Sequence, residues 1–267
     1  MTLIDLKNIY FSYIQKFSDN DFCLENINIS FKKGDFISIL GPNGSGKSTL
    51  LKIIARLLRP TKGQLFYTNI DYKEISPKNI SKRIAFVPQS TFSIYPFSVF
   101  EIVMMGRTPY LNYFGFEKKK DIEIVNNTLE LVGIVHLKNK GINEISGGEA
   151  QRAFIARALV QKPEVILLDE PNAHLDIEHQ MEIFTLLNLL NENENLTVIA
   201  VSHDLNLAGL FSKRVMLMKK GNILMDSDKK TILTESNLRE IFNVNSMINY
   251  DEKNEFLFIN ILPEKKS

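Results

Sequence analysis

The stretch Gly41-Pro42-Asn43-Gly44-Ser45-Gly46-Lys47-Ser48-Thr49 lies between the apolar run Phe36-Ile37-Ser38-Ile39-Leu40 and Leu50-Leu51-Lys52-Ile53-Ile54-Ala55, and few folds accommodate it. The nonamer fits G-x-x-x-x-G-K-[ST], with a strand before it and a helix after it as the pattern requires. Its glycines leave backbone N–H groups free to curl around phosphate oxygens, and the helix that follows aims the positive end of its dipole at the same anion. Lys47 is placed to reach the β- and γ-phosphates of a nucleotide and Ser48 to ligate Mg²⁺.

Composition limits what else the chain can be. Its 267 residues are enough to bury a full core, and 44% hydrophobic with 24% charged residues is an ordinary globular balance. A formal net charge of +1 gives no reason to expect nucleic acid. Lys118-Lys119-Lys120 reads as a solvated helix start. Cys23 is the single cysteine, so no intrachain disulfide can form. Met1-Thr2-Leu3-Ile4-Asp5-Leu6-Lys7 lacks the build of a signal peptide, and no apolar run approaches the ~18 residues of a membrane span. A membrane role would therefore need a separate partner chain.

Along the chain, residues 3 to 13 predict a strand with a register slip, because Leu6 and Ile9 fall on opposite parities. Phe22 to Phe31 predicts a second strand, with Ile14 to Asp21 a polar turn before it. The helix after the phosphate loop is expected to end near Arg59-Pro60. A strand and turn follow over Gly63 to Tyr72, then a buried strand at Ile84-Ala85-Phe86-Val87. Ser98 to Gly106 and Glu117 to Val132 predict helices, the latter facing inward through Ile122, Val125, Leu129 and Val132. Val165 to Asp169 and Thr197 to Val201 are unbroken apolar runs of the kind parallel sheets bury on both faces, with a helix over 177 to 191 between them. A hairpin around Lys219-Lys220-Gly221, two short helices near 229 to 242 and a strand at Phe256 to Ile261 complete the pattern. The fold class expected is α/β: a P-loop NTPase core with a mainly parallel sheet, an N-terminal antiparallel portion and an inserted helical subdomain. One domain spans 1–267, with 1–89 and 161–267 as the nucleotide-binding core and 90–160 as the insert.

Two further constellations carry chemistry. Asp169 at a strand tip is placed to hold Mg²⁺, and Glu170 to orient or deprotonate an attacking water. Ser146-Gly147-Gly148-Glu149 is a capping box by composition, yet two glycines in a first helical turn also permit close approach of an anion. His174, His179 and Glu178 lack H-E-x-x-H spacing and His136 stands alone, so no transition-metal site is expected.

These motifs, with Gln89, Ile145 to Arg152 and His203 in the same order and spacing, resemble those of ABC transporter ATP-binding subunits over nearly the whole chain. The resemblance implies ATP and Mg²⁺ as ligands. Gly41, Pro42, Asn43, Gly44, Ser45, Gly46, Lys47, Ser48 and Thr49 would form the nucleotide site, and Tyr13 would stack on adenine. Ser48, Gln89 and Asp169 would serve the metal. Glu170, Gln89 and His203 would be the catalytic set, with His203 on the γ-phosphate. Ser146, Gly147, Gly148 and Glu149 would form the signature motif, which meets ATP held by a second copy in a head-to-tail dimer, and Leu175-Asp176 resembles the loop that crosses that dimer. Ile145 stands where leucine is usual, and Asn172-Ala173-His174 stands where small hydroxyl residues are common.

By the same resemblance the partners are an integral-membrane permease dimer and, indirectly, an extracytoplasmic substrate-binding protein. The subunit would sit peripherally on the cytoplasmic face of the inner membrane. Apolar residues of Ser93 to Tyr113, Phe97 and Tyr110 among them, are expected to supply the surface that meets the permease. Gly106-Arg107-Thr108-Pro109-Tyr110-Leu111, Asp176 to Gln180 and His203 to Asn206 resemble the importer branch for iron-siderophore, haem and cobalamin. A molybdate importer and a soluble ABC ATPase are the alternatives; the latter usually carries a coiled-coil insertion or a second cassette, which this chain lacks.

Overall fold

The parity break in the first strand predicts a bulge, and the computed structural model has one: Asn8 takes φ 52°, and the ladder from β1 (Thr2–Phe11) to β2 (Leu24–Lys32) shifts between Leu6 and Ile9. The slip lets both side chains face inward. The structure describes residues 1–13, 23–89, 94–111, 117–172, 175–253 and 256–263. The predicted turn over Ile14 to Asp21, together with Phe22, lies outside them.

β3 (Phe36–Leu40) is buried at every position, and the phosphate loop delivers it into α1 (Lys47–Ile54). The expected end of this helix near Arg59-Pro60 is corrected. Arg56 takes φ 60° and donates its N–H to Ile53 O at 2.9 Å, while Leu57 N–H reaches Lys52 O at 2.8 Å. That bond pair closes the helix as a Schellman turn, with arginine where glycine is usual. β4 (Lys62–Tyr67) and β5 (Ile70–Asp71) then form a hairpin through Thr68-Asn69, both at positive φ.

The chain continues through α2 (Pro77–Ile80), β6 (Ile84–Val87), α3 (Val99–Met104), α4 (Lys119–Leu131) and α5 (Gly147–Leu159). β7 (Val165–Asp169), α6 (Ile177–Glu194), β8 (Thr197–Val201), α7 (Leu205–Phe211), β9 (Arg214–Lys219) and β10 (Asn222–Asp228) follow. α8 (Lys229–Ile232), α9 (Glu235–Phe242), β11 (Asn245–Asp251) and β12 (Phe256–Leu262) close the order. β11 is not among the predicted strands.

Two compact units divide these elements, Met1–Glu74 with Thr197–Ser267, and Ile75–Leu196. In the first, an antiparallel sheet runs β2-β1-β4-β5. β3 pairs parallel with both β8 and β9, and β9 turns back into β10. Arg214 on β9 donates to Ser30 O and to the carboxylates of Asp35 and Asp226, so one planar guanidinium ties three segments together. Leu257 and Ile259 of β12 join the core cluster built around Leu40, Leu217 and Leu238.

In the second unit β6 and β7 pair parallel, Val87 opposite Leu168. Ser98 and Glu101 form a capping box that starts α3, worth about 1 kcal/mol. In α4 the buried stripe is Asp121, Val125 and Leu129, at spacings of four. Ile122, predicted inside, is 41% exposed because Asp121 takes the inward place beside it. There Asp121 accepts from Arg107 Nε at 2.9 Å, and Arg107 also donates to Val160 O at 2.6 Å. Tyr110 is half-buried; its ring lies 3.9 Å from the Arg107 guanidinium carbon and its hydroxyl donates to Gln161 O. It is therefore committed within its own unit rather than free for docking. Among the described residues of this stretch the exposed large apolar side chains are Ile94 at 84%, Tyr95 at 66% and Met105 at 39%; Ser93 and Tyr113 lie outside the described residues.

Candidate functional site

The phosphate loop is shaped by its backbone. Gly44 and Gly46 sit at φ 75° and 96°, where a side chain is strained. A Cβ on Gly44 would meet nothing within 4 Å, whereas one on Gly46 would lie 2.7 Å from Cys23 O. The loop is thus closed behind Gly46 and open at Gly44. Gly46 caps α1 without any side-chain hydrogen bond, and a helix start of this kind suits an anion. Lys47 is 5% exposed, and its ammonium donates to Gly41 O at 2.9 Å and Pro42 O at 3.0 Å. A buried cation held by two carbonyls of the loop beside a helix start fits a polyphosphate. Ser48 is half-buried beside it.

Thr49 gathers the loop's flank. Its hydroxyl lies 3.1 Å from the Tyr13 hydroxyl and accepts from Cys23 Sγ at 3.2 Å. This contact holds Tyr13 against the loop while the residue is 60% exposed. Phe11 packs T-shaped against the ring, centroids 4.8 Å apart. His203 is exposed on the tight turn between β8 and α7, which Ser202 Oγ closes by accepting from Asp204 N–H.

The second unit carries the other predicted residues. Asp169 ends β7 and is buried; Glu170 follows at φ 49°, left-handed backbone that costs a glutamate about 1–3 kcal/mol. Because Val87 and Leu168 are register partners, Gln89 and Glu170 stand equally far beyond the paired strands. Gln89 Nε2 donates to Glu170 Oε2 at 2.7 Å, so two predicted residues far apart in sequence are brought together. Ser146 Oγ accepts from Glu149 N–H, and Glu149 Oε2 accepts from Ser146 N–H at 2.7 Å, so the capping box forms. Those bonds from Ser146 hold the Glu149 carboxyl below its ordinary range.

One contact that the sequence does not disclose joins the signature turn to the Leu175-Asp176 turn. His179 lies flat on Gly148, and Asp176, the N-cap of α6, receives both the ring and the backbone N–H of His179. His179 lacks metal-ligand spacing, and only a tertiary contact reveals its place. Ala173 and His174 lie outside the described residues.

A P-loop whose helix start carries no side-chain cap and whose lysine is buried defines a nucleotide-phosphate-binding protein. Residues 24–173 match the family model described as ABC transporter. The iron(3+)-hydroxamate import ATP-binding protein of Bacillus subtilis is 36% identical over 230 residues, 86% of each chain. The ferric enterobactin transport ATP-binding protein of Escherichia coli is 35% identical, covering 84% of this chain and 83% of its own. An inward-facing metal-chelate type ABC transporter superposes with a TM-score of 0.84 at 30% identity, covering 100% of this chain and 99% of that one. A dimeric ATP-binding cassette bound to ADP and Pi gives 0.75 at 32% identity over 85% of this chain and 99% of that one. The chain belongs to the ABC transporter family, and its fold is that of the family's ATPase.

Proposed function

We propose that this chain is the ATP-hydrolysing subunit of an importer that takes up an iron chelate through a separate permease. The observation that carries hydrolysis is the 2.7 Å bond from Gln89 to Glu170, which joins the residue expected to sense nucleotide to the carboxylate expected to activate water. The substrate class is supported by relatives named for iron(3+)-hydroxamate and ferric enterobactin, and by the metal-chelate type neighbour that spans the whole chain.

In this reading Lys47 and the loop N–H groups bind the β- and γ-phosphates, and Tyr13 offers its exposed ring to adenine. Mg²⁺, when bound, neutralises phosphate charge, and Ser48, Asp169 and Gln89 are the residues that would hold it. Glu170 orients the attacking water and takes its proton, and His203 touches the γ-phosphate. Ser146, Gly147, Gly148 and Glu149 address the γ-phosphate held by a second copy of the chain. The helical insert, residues 90–160, meets the permease, and the exposed Ile94 and Tyr95 support a contact there. No helix among the described residues is long and apolar enough to cross a membrane, which fits a peripheral subunit.

The test is uptake by proteoliposomes holding this chain, its permease and its binding protein. Iron from a ferric hydroxamate or catecholate should accumulate only with ATP, and Glu170→Gln should stop it. Uptake of molybdate with none of ferric chelate would contradict the substrate class.

A further inference from the structure

The two signature glycines have different surroundings. A Cβ built on Gly147 meets nothing within 4 Å, whereas one on Gly148 would lie 3.0 Å from His179 Cδ2 and 3.2 Å from its Cγ. Gly147 faces open space and Gly148 is covered by an imidazole. That ring is fixed at its other edge, where His179 Nδ1 and Asp176 Oδ1 are 2.6 Å apart, and the same oxygen accepts the His179 backbone N–H at 2.9 Å. These two bonds, the backbone one foremost, hold the Asp176 carboxyl below its ordinary range, so it is an anionic acceptor at neutral pH. A helical turn further along both helices, Arg152 of α5 is paired with Glu182 of α6. The starts of α5 and α6 are thus joined by two rungs, one of packing and one of charge.

We propose that His179 is a positioning residue that locks the signature turn, Ser146 to Glu149, to the Leu175-Asp176 turn, so that these segments shift as one body. The idea rests on the shared-site reading above, in which both segments face a second copy of the chain. A single imidazole then does what the sequence pattern alone does not disclose. It fills the place a side chain at 148 would take, and it holds Asp176 through the N–H on Nδ1. Movement of either turn is passed to the other without a change in the nucleotide loop.

The test uses four variants of the full chain, His179→Ala, His179→Gln, Gly148→Ala and the His179→Ala/Gly148→Ala double. In the assembled transporter His179→Ala should lower kcat by about tenfold to a hundredfold with KM for ATP nearly constant, the scale of a misplaced rather than missing group. His179→Gln should recover much of the loss, because its amide can still donate to Asp176. Gly148→Ala should cost less in the His179→Ala background than alone, since removing the ring makes room for the methyl. In the isolated chain, hydrogen exchange in His179→Ala should quicken over 146–152 and 175–182 together. Wild-type kcat in His179→Ala, fully multiplicative losses, or faster exchange confined to 175–182 would each overturn the brace. Failure of Glu170→Gln to form an ATP-bound dimer would instead strike the shared-site reading, while the exchange result stands apart from it.

Discussion

Lys47 shows how one residue combines burial with function. An ammonium 5% exposed needs acceptors, and Gly41 O and Pro42 O supply them within the loop. Replacing it removes the cation that offsets a triphosphate in a buried setting. Lys47→Ala should therefore lose tight ATP binding, by at least about a hundredfold if one buried charge-assisted contact of roughly 3 kcal/mol disappears. Calorimetry with Mg-ATP measures it, and an unchanged affinity would count against the loop as the phosphate site. Tyr13 contributes differently, through the stacking proposed for its exposed ring. Tyr13→Ala should weaken binding by about 1–3 kcal/mol, with Tyr13→Phe close to the parent because the Thr49 contact positions rather than binds.

At the scale of elements, the start of α4 depends on a buried ion pair. The Asp121 side chain is 7% exposed, and burial alone would raise its pKa; hydrogen bonds from Arg107 and the Lys118 N–H, with their charges, outweigh that and lower it. A lowered folded-state value means the unfolded state binds the proton first as pH falls. The pair's stabilisation is therefore complete above the ordinary aspartate value near 4 and fades as pH drops through the lower folded value. Asp121→Ala leaves Arg107 buried without its carboxylate and should destabilise the chain by about 3–5 kcal/mol. Thermal melts at neutral pH read the loss, and the gap to the parent should narrow in acid. A gap that is constant from neutral pH to pH 3 would contradict the pair's role.

Element types were largely legible because they rest on local signals. The bulge in β1, the strand–loop–helix at residues 36–54 and the apolar runs of β7 and β8 all follow from parity and composition. The end of α1 did not, because Arg56 adopts a backbone conformation that sequence reserves for glycine. Ile122 missed for a tertiary reason: Arg107, fourteen residues away, draws Asp121 inward. β11 carries Asn, Ser and Asp among few apolar residues, and only pairing with β12 makes it a strand. The site divided in the same way. The loop, Asp169, Glu170 and the signature cap are motif-borne, while the Gln89–Glu170 bond and the His179–Gly148 contact join segments that only the fold brings near.

At the scale of the whole molecule, the function proposed above requires that ATP closes two copies and that hydrolysis releases them. Driving a 1:99 closed population to 99:1 needs about 5.5 kcal/mol of differential binding, which the γ-phosphate contacts of Lys47 and Ser146 would have to provide. Glu170→Gln keeps a side chain able to pair with Gln89 but removes the carboxylate proposed to activate water. The most direct measurement is gel filtration of this variant with and without Mg-ATP, paired with its steady-state turnover, in the presence of the permease. The account predicts an ATP-dependent dimeric cassette with turnover near background. A variant that hydrolyses ATP at the parent rate, or that fails to close on its partner copy at saturating ATP, would contradict it.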